Sequence, residues 1–153
     1  MISCTGRSFC ALLRRSCQAS PLEDYRQLRY NRRYGEDKRM EDCIFCRIGA
    51  GQVPVRLAYQ DEQVVAFHDL NPQAPVHVLI IPRRHLPGVK EMAPEDEPLV
   101  GHLLRVGSLV AQQLEVGESG FRLVTNSGPD AGQSVMHLHF HLLGGRPLGW
   151  PPG

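Results

Sequence analysis

Three of the seven histidines in this 153-residue chain fall at alternate positions, His137, His139 and His141, within "GQSVMHLHFHLLGG". Side chains of an extended strand alternate between faces, so this spacing sends three imidazoles to one side at steps of about 7 Å. Met136, Leu138, Phe140 and Leu142 are then expected to point the other way, into a core. Two chemistries suit such a row. Three strand histidines can hold a catalytic zinc ion with an open fourth position. Alternatively, one neutral imidazole is a nucleophile and its neighbours donate hydrogen bonds to a charged substrate. The preceding loop, "NSGPDAGQS", favours the second. Its glycines let backbone N–H groups close on an anion, and Asn126, Gln133 and Ser134 are neutral donors. The loop lacks the Lys-Ser/Thr pair of a P-loop, so magnesium-dependent ATPase chemistry is not indicated.

A second group with chemical potential is "CIFC", which sets Cys43 and Cys46 at zinc-ligand spacing. One C-x-x-C supplies half of a tetrahedral site, and two small buried residues on a short helix would give the same pattern. A redox role fits less well, because no thioredoxin-like βαβ pattern surrounds the pair. The five cysteines form no even framework, which points to a reducing compartment.

These residues need a scaffold, and the sequence outlines one. Order is expected from about residue 41. Asp42 is a candidate N-cap for a short helix that stops at Gly49 or Gly51. "RLAYQ" and "VVAFHDL" flank a turn at residues 61–63 and read as a hairpin. "APVHVLIIP" is a β-branched run that suits a strand buried on both faces. Residues 94–116 carry Leu99, Leu103, Val106, Val110 and Leu114 at helical spacing, with Pro94 in the first turn. "GFRLVTN" and the histidine segment supply two more strands, and "GGRPLGWPPG" has no regular pattern. Short connections between strands favour an antiparallel α+β domain, with the long helix covering one sheet face.

Composition narrows the functional classes. With 42% apolar and 22% charged residues, the chain reads as globular, and no apolar run approaches the ~20 residues of a membrane span. The net charge of +1 is unevenly spread: residues 1–40 hold nine Lys/Arg against four Asp/Glu, and the remainder eight against twelve. The main body thus has no broad nucleic-acid-binding face. Residues 1–40 read as a basic, disordered extension and residues 41–153 as the domain. The cytoplasm is the expected location, or the mitochondrion if the acid-free first twenty residues act as a transit peptide.

"HLHFHLL" matches the His-φ-His-φ-His-φ-φ signature of the histidine triad (HIT) superfamily, φ being apolar. With "FHDLNPQAPVHVLIIPRRH", "GQSVMHLHFHLLGGR" and the terminal "WPPG", residues 41–153 resemble its Hint branch, the nucleoside phosphoramidate hydrolases. The resemblance implies a mainly antiparallel five-stranded sheet with one long and one short helix, continued across a homodimer. It implies hydrolysis of the P–N bond in purine nucleoside phosphoramidates and adenylylated amines, with His139 as the nucleophile that becomes nucleotidylated. His141 would stabilise charge on the phosphate, Ser134 and Gln133 would hold phosphate oxygens or assist the leaving amine, and His77 would join a proton relay. Asn126 would lie near phosphate or ribose, Asp69 would bind ribose, Phe67 and Leu70 would line the base pocket, and Trp150 would reach the partner's site. Zinc-bearing relatives imply a structural ion held by Cys43, Cys46, His85 and His137, with no cofactor in the chemistry. The rival activities are dinucleoside polyphosphate hydrolysis of the Fhit type and a non-catalytic nucleotide-binding scaffold.

Overall fold

The computed structural model describes residues 42–152, and the extension read from residues 1–40 lies outside them. The hairpin is formed by β1 (Leu57–Gln60) and β2 (Val64–His68). Asp61 makes its turn: Oδ1 accepts the backbone N–H groups of Gln63 and Val64, each at 2.8 Å. Such local bonding is why aspartate suits turns. The second carboxylate oxygen accepts from the Tyr59 hydroxyl at 3.0 Å and from His102 Nε2 at 2.7 Å.

β3 (Val76–Pro82), β4 (Phe121–Val124) and β5 (Phe140–Gly144) complete one sheet in the order β1-β2-β3-β5-β4, with every neighbouring pair antiparallel. A short helix α1 (Ile44–Gly49) and a long helix α2 (Glu97–Gln113) accompany it, as the α+β expectation required. Residues opposite each other in an antiparallel pair share a face. Phe67, Leu79, His141 and Val124 therefore form one row across the sheet, and Ala66, Ile80 and Phe140 form a row on the reverse side. α2 covers the reverse face through Leu103, Val106 and Val110, all at 0% exposure. Gly107 lets the helix approach: a Cβ there would stand 3.0 Å from the Leu123 methyls and 3.3 Å from Ile80. α1 lies on the other face, where Phe45 and Ile48 pack with Val65, Phe67, Leu79 and Ile81. The site must share that face, because His141 is on it.

Four sequence expectations need correction. The long helix does not run over residues 94–116. Pro94 opens a separate 3-10 turn, Pro94–Asp96, in which buried Asp96 accepts the Ala93 N–H at 2.8 Å and pairs with Arg84. The α-helix starts at Glu97 and ends at Gln113, because Glu115 takes a φ of 59° that no helix continues through. Asp42 is not the cap of α1; Cys43 holds that position, with no side-chain cap bond. The stop at Gly49 holds, and Gly51 follows with a φ of 73°. Nor do the three histidines share one regular strand. β5 begins at Phe140, and the preceding residues are pinned by His137 N–H to the Val135 carbonyl and Leu138 N–H to the Leu86 carbonyl. Leu138, Phe140 and Leu142 are buried as expected, but Met136 is 57% exposed, because strand alternation does not reach back to it. Among the described residues, no helix is long and apolar enough to cross a membrane.

Candidate active site

Backbone groups decide which nitrogen of each site imidazole carries the proton. His139 is buried, and its Nδ1 lies 2.7 Å from the His137 carbonyl oxygen. A carbonyl only accepts, so Nδ1 holds the hydrogen and Nε2 keeps its lone pair. The same logic applies to His137: Nε2 donates to the Pro82 carbonyl at 2.9 Å, leaving Nδ1 as a free lone pair. Phe45 stands edge-on to both rings, with centroids at 5.8 Å from His137 and 5.3 Å from His139, and fixes their planes.

His77 and His141 form a second pair. The backbone N–H of Gln73 donates to His77 Nδ1 at 3.1 Å, so the His77 proton sits on Nε2. That N–H donates to His141 Nδ1 at 2.8 Å. His141 is thereby left as a neutral ring with its hydrogen on Nε2, a donor able to face an anion. Burial is the largest cause holding the His141 pKa down at about 4, followed by the neighbouring His139 and His77, with Asp69 opposing. Burial also lowers His77, again against Asp69. Both rings are therefore neutral near pH 7. His139 and His141 stand edge-to-face with ring centroids 5.1 Å apart.

The remaining expected residues have distinct settings. Asp69 accepts the Asn71 N–H on Oδ1 at 2.8 Å and brings Oδ2 to 3.5 Å from His77 Nε2. Gln133 is engaged as a staple: its amide nitrogen donates to the carbonyls of Pro87 at 2.8 Å and Val135 at 3.2 Å, and its oxygen accepts the Gly128 N–H at 2.9 Å. Gly128 and Gly132 take φ of 86° and 76°, values that favour glycine and let the loop turn tightly. Ser134 is exposed and Asn126 half-buried at the two ends of this loop. Phe67 is 5% exposed and packs edge-on against Phe45 at 5.9 Å, so it is core as well as site wall. Leu70 is fully exposed and Trp150 is 85% exposed. Phe45 and the Gln73 backbone N–H were missed in the sequence. Only the position of Phe45 inside "CIFC", on a helix beside the histidines, could have signalled it.

Cys43, Cys46, His85 and His137 converge, their donor atoms all within 4.8 Å of one another. His137 Nδ1 is 3.5 Å from each sulfur, and His85 Nδ1 is 3.2 Å from Cys46 Sγ. Zinc bonds of about 2.3 Å to sulfur and 2.0–2.1 Å to nitrogen, at tetrahedral angles, separate the two ligands by about 3.5 Å. The cluster has those edges. The donation from His137 to the Pro82 carbonyl is the outer-sphere bond that aims a ligating imidazole. Burial resists ionisation of Cys43, but its contacts with His137 and His85 outweigh it and bring the thiol down to about 5. Burial and the adjacent Cys43 push Cys46 up to about 12. Two cysteine sulfurs and two imidazole nitrogens are the donor set that a structural zinc ion takes. Three histidines around one catalytic ion do not fit: His137 groups with the cysteines, while His141 groups with Asp69 and His77.

Known proteins share this fold. Residues 50–148 match the family model described as HIT domain. An uncharacterized HIT-like protein of Synechocystis is 51% identical over 113 residues, 74% of this chain and 98% of the relative. A HIT family hydrolase from Legionella pneumophila superposes with a TM-score of 0.72 at 41% identity, covering 73% of this chain and all of that one. A histidine triad nucleotide-binding protein from Candida albicans gives 0.62 at 30% identity, over 72% and 83% of the two chains.

Proposed function

Since this chain belongs to the HIT domain family, whose solved members include hydrolases, we propose that it hydrolyses the P–N bond of purine nucleoside phosphoramidates and adenylylated amines. The observation that carries this reading is the His139 Nδ1–H bond to the His137 carbonyl, which leaves Nε2 as a neutral nucleophile. The Nε2 lone pair forms a bond to the α-phosphorus while the bond to the amine breaks, and the amine takes a proton from solvent as it leaves. Water then forms the new P–O bond and gives a proton back to solvent, the N–P bond to His139 breaks, and nucleoside monophosphate is released. Nδ1–H on the carbonyl disperses the charge that the ring gains on phosphorylation, as the third member of a triad does for its histidine. His141 Nε2–H faces the charge that grows on the phosphate oxygens, where a preorganised donor lowers the barrier most. Nucleotide binding has further support in the Candida albicans relative, a histidine triad nucleotide-binding protein.

Two parts of the proposal concern assembly. Cys43, Cys46, His85 and His137 would hold a zinc ion that cross-links α1, the segment after β3 and the segment before β5; it braces the fold, while His139 does the chemistry. A homodimer would form at β4. β1 is blunted by a bulge between Leu57 and Tyr59, whereas β4 is a regular edge with no further strand beside it among the described residues. Arg122 on β4 donates to the Gly149 carbonyl at 2.7 Å and so holds the tail, with exposed Trp150, beside that edge. A partner paired there would meet the tryptophan. The activity is tested by comparing turnover of adenosine 5′-phosphoramidate and diadenosine triphosphate by the purified protein. Preference for the phosphoramidate supports the reading. Preference for the triphosphate replaces it with the Fhit-type activity, and binding without turnover of either leaves a scaffold.

A further inference from the structure

Just past β5, Gly145 takes a φ of 83° and turns the chain over residues 69–75, the loop that joins β2 to β3. The approach is close: a Cβ on Gly145 would stand 3.0 Å from Pro75 Cβ. The turn brings Arg146 back to that loop, where Nη2 donates to the Gln73 carbonyl at 3.1 Å and Nη1 donates to the Pro147 carbonyl at 2.9 Å. Gln73 is the residue whose N–H meets His77 Nδ1, also at 3.1 Å. Its side-chain amide donates to the Asn71 carbonyl at 2.9 Å, so Arg146 ties a locally bonded loop to the end of β5. Pro72 and Pro75 have no N–H, which leaves Gln73 and Ala74 as the backbone donors of residues 72–75.

One hydrogen lies between His77 Nε2 and His141 Nδ1, which are 2.8 Å apart, and it has two places to sit. On His77 Nε2, it leaves Nδ1 of that ring as a lone pair and puts the other His141 hydrogen on Nε2. On His141 Nδ1, it leaves His141 Nε2 as a lone pair and puts the His77 hydrogen on Nδ1, where it meets the Gln73 N–H. A donor facing a donor disfavours that second state for as long as the amide stays in place. Asp69 Oδ2 favours the first state too, but from 3.5 Å. We propose that Arg146 is a positioning residue that, by holding Gln73, decides which nitrogen of His141 offers a hydrogen to phosphate. This rests on the phosphate-facing role given to His141 above. Arg146 is exposed and its guanidinium bonds to backbone carbonyls, so its influence passes through the Gln73 peptide. No proton travels along this path during turnover; the tautomer is set before substrate arrives.

The test is nitrogen NMR of the histidine rings in the full-length, substrate-free protein at neutral pH, wild type against Arg146→Ala. In the wild type, His141 should be almost wholly the Nε2–H tautomer. In Arg146→Ala the Nδ1–H tautomer should rise to about a half or more. Turnover of adenosine 5′-phosphoramidate at limiting concentration should then fall by the same factor as the Nε2–H fraction, about twofold to fivefold. Arg146→Lys, which keeps a donor for the Gln73 carbonyl, should return both readings toward wild type. An Arg146→Ala spectrum identical to wild type would overturn the proposal, as would a loss of rate with the tautomer unchanged. Gln73→Pro removes the N–H itself, and adding Arg146→Ala to it should move neither reading further, because both changes act on one contact. Additive effects in that pair would also overturn the proposal. The spectra need no substrate, so failure to turn over the phosphoramidate would remove the proposed activity and leave the tautomer result standing.

Discussion

Removing the zinc ion proposed at Cys43, Cys46, His85 and His137 should destabilise the protein strongly while sparing its chemistry. The four donors already lie at zinc-like separations, so little reorganisation accompanies binding, and stabilisation follows mass action on the folded state. At free zinc a thousandfold above Kd, that amounts to about 4 kcal/mol. For a domain of about 110 residues, one kcal/mol moves Tm by about 4 °C, so the loaded protein should melt roughly 15 °C above the stripped one. Chelator-dialysed and zinc-loaded samples would be compared by thermal melting, with metal content measured on each. Cys46→Ser should remove most of the shift. Assayed at a temperature below both melts, the stripped protein should keep its turnover within about threefold, because the proposed nucleophile, His139, is not one of the four donors. Superimposable melts and no retained zinc would reduce the cysteines to small packing residues. Complete loss of turnover in a protein that is still folded would refute the bracing role and place metal in the reaction.

Acid should weaken the fold in two stages. His141, with a folded pKa of about 4 against about 6.5 unfolded, contributes stability that is full above 6.5 and declines as pH falls to 4, where the unfolded chain binds the proton first. Below that, Asp61, held at about 2, contributes stability present above about 3.9 and lost as pH falls toward 2. Urea midpoints across pH would show both declines, and His141→Asn should flatten the first; an unchanged first stage in that variant would remove the assignment. Asp61→Ala unpairs the turn amides of Gln63 and Val64 and releases Tyr59 and His102, at a cost of about 1–2 kcal/mol in denaturant unfolding, with turnover unchanged. Gln133→Ala should lower stability by about 1–3 kcal/mol while raising KM, because the loop loses its tie to Pro87. A higher KM with an unaltered melt would make Gln133 a direct phosphate ligand instead.

The alternation that exposed the histidine row in the sequence is a property of extended backbone, and it was legible because one face of β5 is apolar without exception. It misled at Met136, where a local bond from His137 to Val135 and a long-range one from Leu138 to Leu86 replace the strand ladder. Phe67 and Leu70 were read together, yet β2 ends at His68 and the two residues meet opposite environments. The hydrogen bonds of Gln133 to Pro87 and Gly128 are invisible to any local pattern. The zinc-type cluster shows the same limit from the other side: "CIFC" is local, but His85 and His137 join it only when β3 and β5 pair. Tautomers lay furthest from sequence reading. They depend on the carbonyls of Pro82 and His137 and on the Gln73 N–H, backbone atoms that every residue possesses and only folding brings into place.

Everything in the mechanism depends on which atom meets phosphorus. Wild-type protein mixed with adenosine 5′-phosphoramidate, quenched within one turnover and kept alkaline to preserve phosphohistidine, should carry one AMP mass on the peptide spanning residues 137–141, fragmenting to His139. His139→Ala should show no adduct and lose at least about a thousandfold in turnover, yet still bind AMP. An adduct on another residue, or rapid turnover by His139→Ala, would contradict the account.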